Sequence, residues 1–256
     1  MKALSSPPAE GPRMSITGHL EELRSRLLKV VWTVLGGMVL AYAASDILIG
    51  WLRRPLAGDL YFFSPMEAFW VTVKVSFFAG LFLALPVVLY QIWRFVSPGL
   101  HPHERRLAVP FVLIGCLFFV LGLAFCYFVV APFALNFLVG FGVQQGLKPV
   151  ISIGLYMDFL LKFLLAFGVV FELPLAITIL AKLGLVTPQF LSRYRRYAIL
   201  VNAILAAILT PTTDVFNMML MMVPLMVFYE LGILGARFFG RKPVRSAVAG
   251  EAKSEA

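Results

Sequence analysis

Long apolar runs separated by short charged clusters constrain this chain more than any other feature. The apolar residues do not recur at a period that would leave one helix face wet. They fill stretches of roughly 20 residues, the length an α-helix needs to cross the ~30 Å hydrocarbon core of a bilayer. Composition agrees: 61% of the 256 residues are hydrophobic and 14% are charged, against roughly half and a quarter in a soluble domain. A soluble core is therefore the poorer reading, and an all-α membrane protein is expected.

The runs predict six transmembrane helices, near Leu27 to Ile49, Phe69 to Phe95, Leu107 to Leu138, Tyr156 to Lys182, Tyr197 to Thr210 and Phe216 to Phe238. No apolar segment precedes the first run, so a cleavable signal peptide is not expected. Lys and Arg set the orientation, because cytoplasmic loops keep an excess of them. Arg24 and Arg26, Arg105 and Arg106, Arg195 and Arg196, and Arg241 and Lys242 fall on one side, and the other side has only Arg53, Arg54 and Lys148. Both termini are thus expected in the cytoplasm, which requires an even span count. The net charge of +9 is then a matter of topology and contact with anionic lipid, without nucleic acid.

The fifth run covers only about 14 residues, roughly 21 Å at helical rise. Either that span is short or its helix continues back into Ser192 and Tyr194. Pro86, Pro132, Pro174 and Pro224 interrupt other spans, and proline bends a helix by removing a donor and crowding the preceding turn. Several such bends predict a concave architecture. Cys116 and Cys126, ten residues apart in one run, read as packing residues.

Charge inside hydrocarbon costs about 2.5 to 3.5 kcal/mol at a helix centre, so Glu172 is singled out beside Pro174. It is either a protonatable or partner-contacting group or a neutral, internally hydrogen-bonded one. Lys74, Asp158, Lys162 and Glu230 lie nearer span ends and are expected to snorkel. On the cytoplasmic side Glu22 and Glu104 stand in basic surroundings, and two carboxylates there suit the guanidinium forks of a ligand. The competing account pairs each with its own neighbouring arginines. His19, His101 and His103 share that face without any metal-ligand spacing. Phosphate-binding, zinc-protease and serine-hydrolase motifs are all missing from the sequence, so neither an enzyme nor a cofactor is expected.

The ordered motifs resemble the TatC family, the multispanning receptors of the twin-arginine protein translocase. They are His19-Leu20-x-Glu22-Leu23-Arg24-x-Arg26-Leu27, Ser64-Pro65-x-Glu67-x-Phe69, and Pro86-x-x-x-Tyr90-Gln91-x-Trp93-x-Phe95-x-x-Pro98-Gly99-Leu100 leading to His103-Glu104-Arg105-Arg106. Tyr127-Phe128-x-x-x-Pro132, Ala166-Phe167-Gly168-x-x-Phe171-Glu172-x-Pro174, and Leu209-Thr210-Pro211 with Asp214-x-Phe216 follow in order. The resemblance spans residues 15–241, leaving polar tails at 1–14 and 242–256.

The resemblance implies a six-helix protein of the cytoplasmic (inner) membrane, with short fifth and sixth spans. It would bind twin-arginine signal peptides and, with TatA-like and TatB-like single-span partners, move folded proteins using the proton-motive force. It further implies signal-peptide contacts at Glu22, Glu104, Arg24, Phe95 and Gln91, partner or structural roles for Pro55, Glu67, Glu172 and Asp214, and assembly into a homo-oligomeric receptor complex. The turn Pro211-Thr212-Thr213-Asp214 is longer than a Pro-Pro-Asp form, and Asn217 replaces an expected Ser. A proton-coupled carrier using Glu172 and Asp158 is the alternative from another functional class, disfavoured by the absence of an inverted repeat.

Overall fold

Where apolar residues run without break, the chain folds into helices. The computed structural model describes residues 16–56, 58–97, 108–210 and 214–240. Ten α-helices occur among them: α1 (Ile16–Tyr42), α2 (Ser45–Leu52), α3 (Pro65–Val96), α4 (Ala108–Phe125), α5 (Ala131–Gln144), α6 (Ile153–Phe171), α7 (Leu173–Lys182), α8 (Pro188–Arg193), α9 (Arg195–Leu209) and α10 (Val215–Phe239). Two short strands, β1 (Leu60–Tyr61) and β2 (Ile151–Ser152), pair in parallel with Leu60 opposite Ile151.

Five helical stretches among the described residues are long and apolar enough to cross a bilayer: Leu20–Tyr42, Pro65–Val96, Ala108–Gln144, Ile153–Lys182 and Val215–Phe239. Their outward faces are apolar too. Trp32, Val39 and Leu40 on α1 are each more than 70% exposed, a surface that belongs in lipid rather than water. The protein is a multi-pass, all-α membrane protein.

The interior is organised on α6. Half of its most apolar window is buried, against 11% for α1, and Met157, Leu160, Phe163 and Phe167 have no exposed surface. It packs against α3, α4 and α10. With no hydrophobic drive between helices in lipid, close backbone approach replaces it, and small residues make that approach feasible. A Cβ on Gly37 of α1 would lie 2.8 Å from the carbonyl oxygen of Gly80 on α3, and one on Gly122 of α4 would lie 2.7 Å from that of Phe167 on α6.

The helices differ from the apolar runs in three places. The first begins at Ile16, so its polar first turns are helical, and it ends at Tyr42 before a separate α2. Ser45 and Asp46 open α2, and an acidic first turn favours a helix start, whereas counting apolar residues reads straight through. The third continues to Gln144 by way of a π-helical turn at Cys126–Val130. The fourth is broken at Glu172 into α6 and α7. The fifth is short, as its brief apolar run allowed, because Tyr194 separates α8 from the 15-residue α9, whereas the sixth, expected to be short, is the 25-residue α10. Of the four prolines, Pro132 follows the π turn and Pro174 follows the break between α6 and α7, whereas Pro86 and Pro224 lie inside unbroken helices.

Gly80→Ala tests the packing account. On an isolated helix this change stabilises by about 1 kcal/mol; here the new methyl meets the backbone of Met38. The variant should lose roughly 1 to 3 kcal/mol, read as a lower unfolding midpoint of the purified protein in detergent.

Candidate functional site

Glu22 and Arg26 stand one turn apart on α1, and their side chains retain 20% and 12% of their exposure. The Arg26 guanidinium donates to Glu22 Oε1 through Nε at 3.1 Å and through Nη2. Its Nη1 donates to Gln91 Oε1 on α3 at 3.3 Å. One guanidinium thus ties the receptor carboxylate expected on the first helix to a glutamine 65 residues away. Phe95 is half-buried one turn beyond Gln91, on the same side of α3. Arg24, two residues from Glu22, is exposed and points away from this cluster. Glu104, the second expected carboxylate, lies outside the described residues, as do His101 and His103.

A second polar cluster lies at the opposite end of α3. Ser64 caps the helix, accepting from Met66 N at 3.3 Å, and Pro65 occupies its first position. Glu67 reaches back to accept from Phe63 N at 2.7 Å, one residue before the N-cap amide that a capping-box glutamate takes. Its other oxygen accepts from Gly154 N at 2.8 Å and from the Ser152 hydroxyl, so one carboxylate binds the start of α3 to the start of α6. Nearby, the Tyr127 and Tyr156 hydroxyls donate to the carbonyls of Trp51 and Leu52 at 2.6 and 2.7 Å, and they fix the end of α2 just before Pro55. Lys74 bridges Asp158 at 2.7 and 2.9 Å.

Glu172 sits in the break between α6 and α7. Its Oε1 is buried and has no hydrogen-bond partner among the described residues, against the internally hydrogen-bonded reading of that oxygen. Space for the side chain comes from Gly115 of α4, where a Cβ would lie 3.3 Å from Glu172 Oε2. Beside the break runs an apolar groove of about 540 Å³, lined by Trp93, Phe111, Pro174, Leu175, Phe228 and Lys182 among others. Asp214 caps α10: it accepts from Asn217 N at 2.7 Å and from Asn217 Nδ2 at 2.9 Å. Asn217 therefore helps hold the capping carboxylate, which accounts for an amide at that place. Phe216, just before Asn217, stacks on Phe137 of α5 at 3.8 Å.

The family model described as Sec-independent protein translocase protein TatC matches residues 18–224. The chain belongs to the TatC family. It is 42% identical over 239 residues to the Sec-independent protein translocase protein TatC of Desulforapulum autotrophicum, covering 91% of this chain and 88% of the relative. To the TatC of Aquifex aeolicus it is 38% identical, covering 90% and 97%. The crystal structure of the twin-arginine translocase receptor TatC superposes with a TM-score of 0.78 at 37% identity, covering 87% of this chain and all of that one. TatC proteins are translocase components rather than enzymes.

The carrier alternative finds no support. Asp158 is engaged by Lys74, and it lies fourteen positions from Glu172, roughly 21 Å along helix. Three of the four charged groups expected to snorkel have partners: Lys74 binds Asp158, and Glu230 accepts from Arg195 Nη2 at 2.8 Å. Arg26 is the residue that the site assignment overlooked. Its spacing of four from Glu22 is a helical ion-pair signal, visible in the sequence, but nothing there points to Gln91.

Glu67→Ala should free the start of α6. A hydrogen bond to a charged group contributes about 1.5 to 3 kcal/mol, so exchange of the Gly154 amide should quicken at least ~10-fold while amides of α4 keep their protection, as read by hydrogen-exchange mass spectrometry.

Proposed function

We propose that this protein is the signal-peptide receptor of a twin-arginine translocase in the cytoplasmic membrane. Six spans, with α9 as the short one, place both termini inside. The receptor works in a complex containing several copies of this chain together with TatA-like and TatB-like single-span proteins. The complex carries folded precursors across the membrane on the proton-motive force.

The observation that carries this reading is the half-buried carboxylate of Glu22, linked through a guanidinium to Gln91. A site that already seats one planar fork has the geometry to seat another. Glu104 supplies the second acceptor, so that each arginine of the signal meets a carboxylate, and Phe95 and Arg24 border them. Exposed ion pairs contribute only about 0.2 to 1 kcal/mol. Affinity therefore comes mainly from the signal's apolar segment packed on the spans, and the arginines set register and selectivity.

Glu172 has the second role, docking a partner helix. Its buried oxygen, unpartnered among the described residues, adjoins the mostly apolar groove that Pro174 and Leu175 line. A polar side chain of a single-span partner satisfies that oxygen, because a buried acceptor without a donor costs about 1 to 3 kcal/mol. Pro55, Glu67 and Asp214 act by holding the loops and helix starts in place. Basic loops engage anionic lipid at the cytoplasmic face.

Glu22→Gln and Glu104→Gln should each cut site-specific crosslinking of a twin-arginine precursor by about tenfold, the loss of one charge-assisted contact. Wild-type crosslinking in both would refute the receptor assignment. Glu172→Ala should weaken copurification of the single-span partners while precursor crosslinking persists; the reverse pattern would remove Glu172 from partner docking.

A further inference from the structure

The carboxylate assigned to the signal's arginine is already held by an arginine of the chain itself. Arg26 donates to Glu22 through both Nε and Nη2 and to Gln91 through Nη1. Three of its donors are thereby committed, and its side chain is 12% exposed. An incoming guanidinium cannot approach Glu22 Oε1 in fork geometry while this one stays there.

Resting on the receptor reading above, we propose that Arg26 is a resident stand-in for the signal's arginine, which must be displaced before Glu22 engages a precursor. The ligand class is a planar cation. The exchange replaces one guanidinium by another on the same carboxylate, so the broken internal pair offsets part of what the incoming fork gains, but not all of it, because the released Arg26 finds other partners. A lysine offers a point charge without the fork; replacing Arg26 with it is uphill, and the internal pair stays closed. After exchange Arg26 retains Gln91 as an acceptor, or snorkels along α1 towards the headgroups.

The device has two consequences. In the empty receptor a half-buried carboxylate is never left bare, which would be costly. Affinity for every cationic signal is held below what Glu22 alone would give, so a precursor has to bring apolar contacts as well as arginines. Arg26 therefore sets the threshold of recognition.

The test uses the full chain in lipid nanodiscs and fluorescent synthetic signal peptides carrying either Arg-Arg or Lys-Lys. Arg26→Gln should bind both peptides more tightly than wild type, by about 3- to 10-fold, the range expected for relief of one part-buried ion pair. Arg26→Lys, which keeps a cation but not the fork, should fall between the two and carries the test if the glutamine variant does not insert. A loss of folding or of a structural contact would lower affinity, so a gain is not produced by damage. Unchanged or weaker binding of either peptide by the variants overturns the stand-in. Glu22→Gln keeps the two hypotheses apart: if it weakens the Arg-Arg peptide while the Arg26 variants bind no tighter, the receptor reading stands and the stand-in falls. If Glu22→Gln binds as wild type, Glu22 is not the acceptor and both fall.

Discussion

Within hydrocarbon no water is at hand to satisfy a free backbone group, and each one left open costs several kcal/mol. The architecture follows from that cost. Helices run as long as the sequence permits, and several of the places where they start or stop are closed by a specific side chain. Ser64, Ser152, Thr187 and Asp214 accept from the first turns of α3, α6, α8 and α10. Tyr127 and Tyr156 reach the last carbonyls of α2 from other elements. At the break between α6 and α7, Glu172 contributes no such cap; there the backbone closes itself, with Glu172 N donating to Val169 O and Ala176 N to Glu172 O. Its carboxylate takes no part in closing that break.

The helical class and the span positions were legible because apolar length is a one-dimensional signal. The break at Ala43 and Ala44 was not, since both residues are apolar and the run continues through them. Nor was the π turn at Cys126–Val130, which leaves no compositional mark beyond Pro132. In the candidate site, Glu22 and Gln91 were legible as parts of motifs, and Asp214 as a conspicuous acid before an apolar run. Their pairings were hidden. Nothing local in the sequence says that Arg26 reaches Gln91, that Glu67 spans to Gly154, or that Lys74 finds Asp158, because each contact joins segments at least 65 residues apart.

Two kinds of polar group therefore coexist in this protein. Glu67, Asp214 and the Lys74–Asp158 pair have their hydrogen bonds filled from within and hold the helix ends together. Glu22 and Glu172 stand differently, one held by Arg26 of the same helix, the other with an oxygen that finds no hydrogen-bond partner among the described residues. On the receptor reading proposed above, the first kind preorganises the second for recognition.

The brevity of α9 bears on how the surrounding membrane behaves. Its fifteen residues reach roughly 22 Å, and its lower end starts at a pair of arginines. Where α9 is the fifth of the six spans proposed above, lipid chains alongside it have to compress or splay to meet those charges. In the six-span arrangement proposed above, the hydrocarbon layer is therefore thinner beside α9 than beside the 32-residue α3.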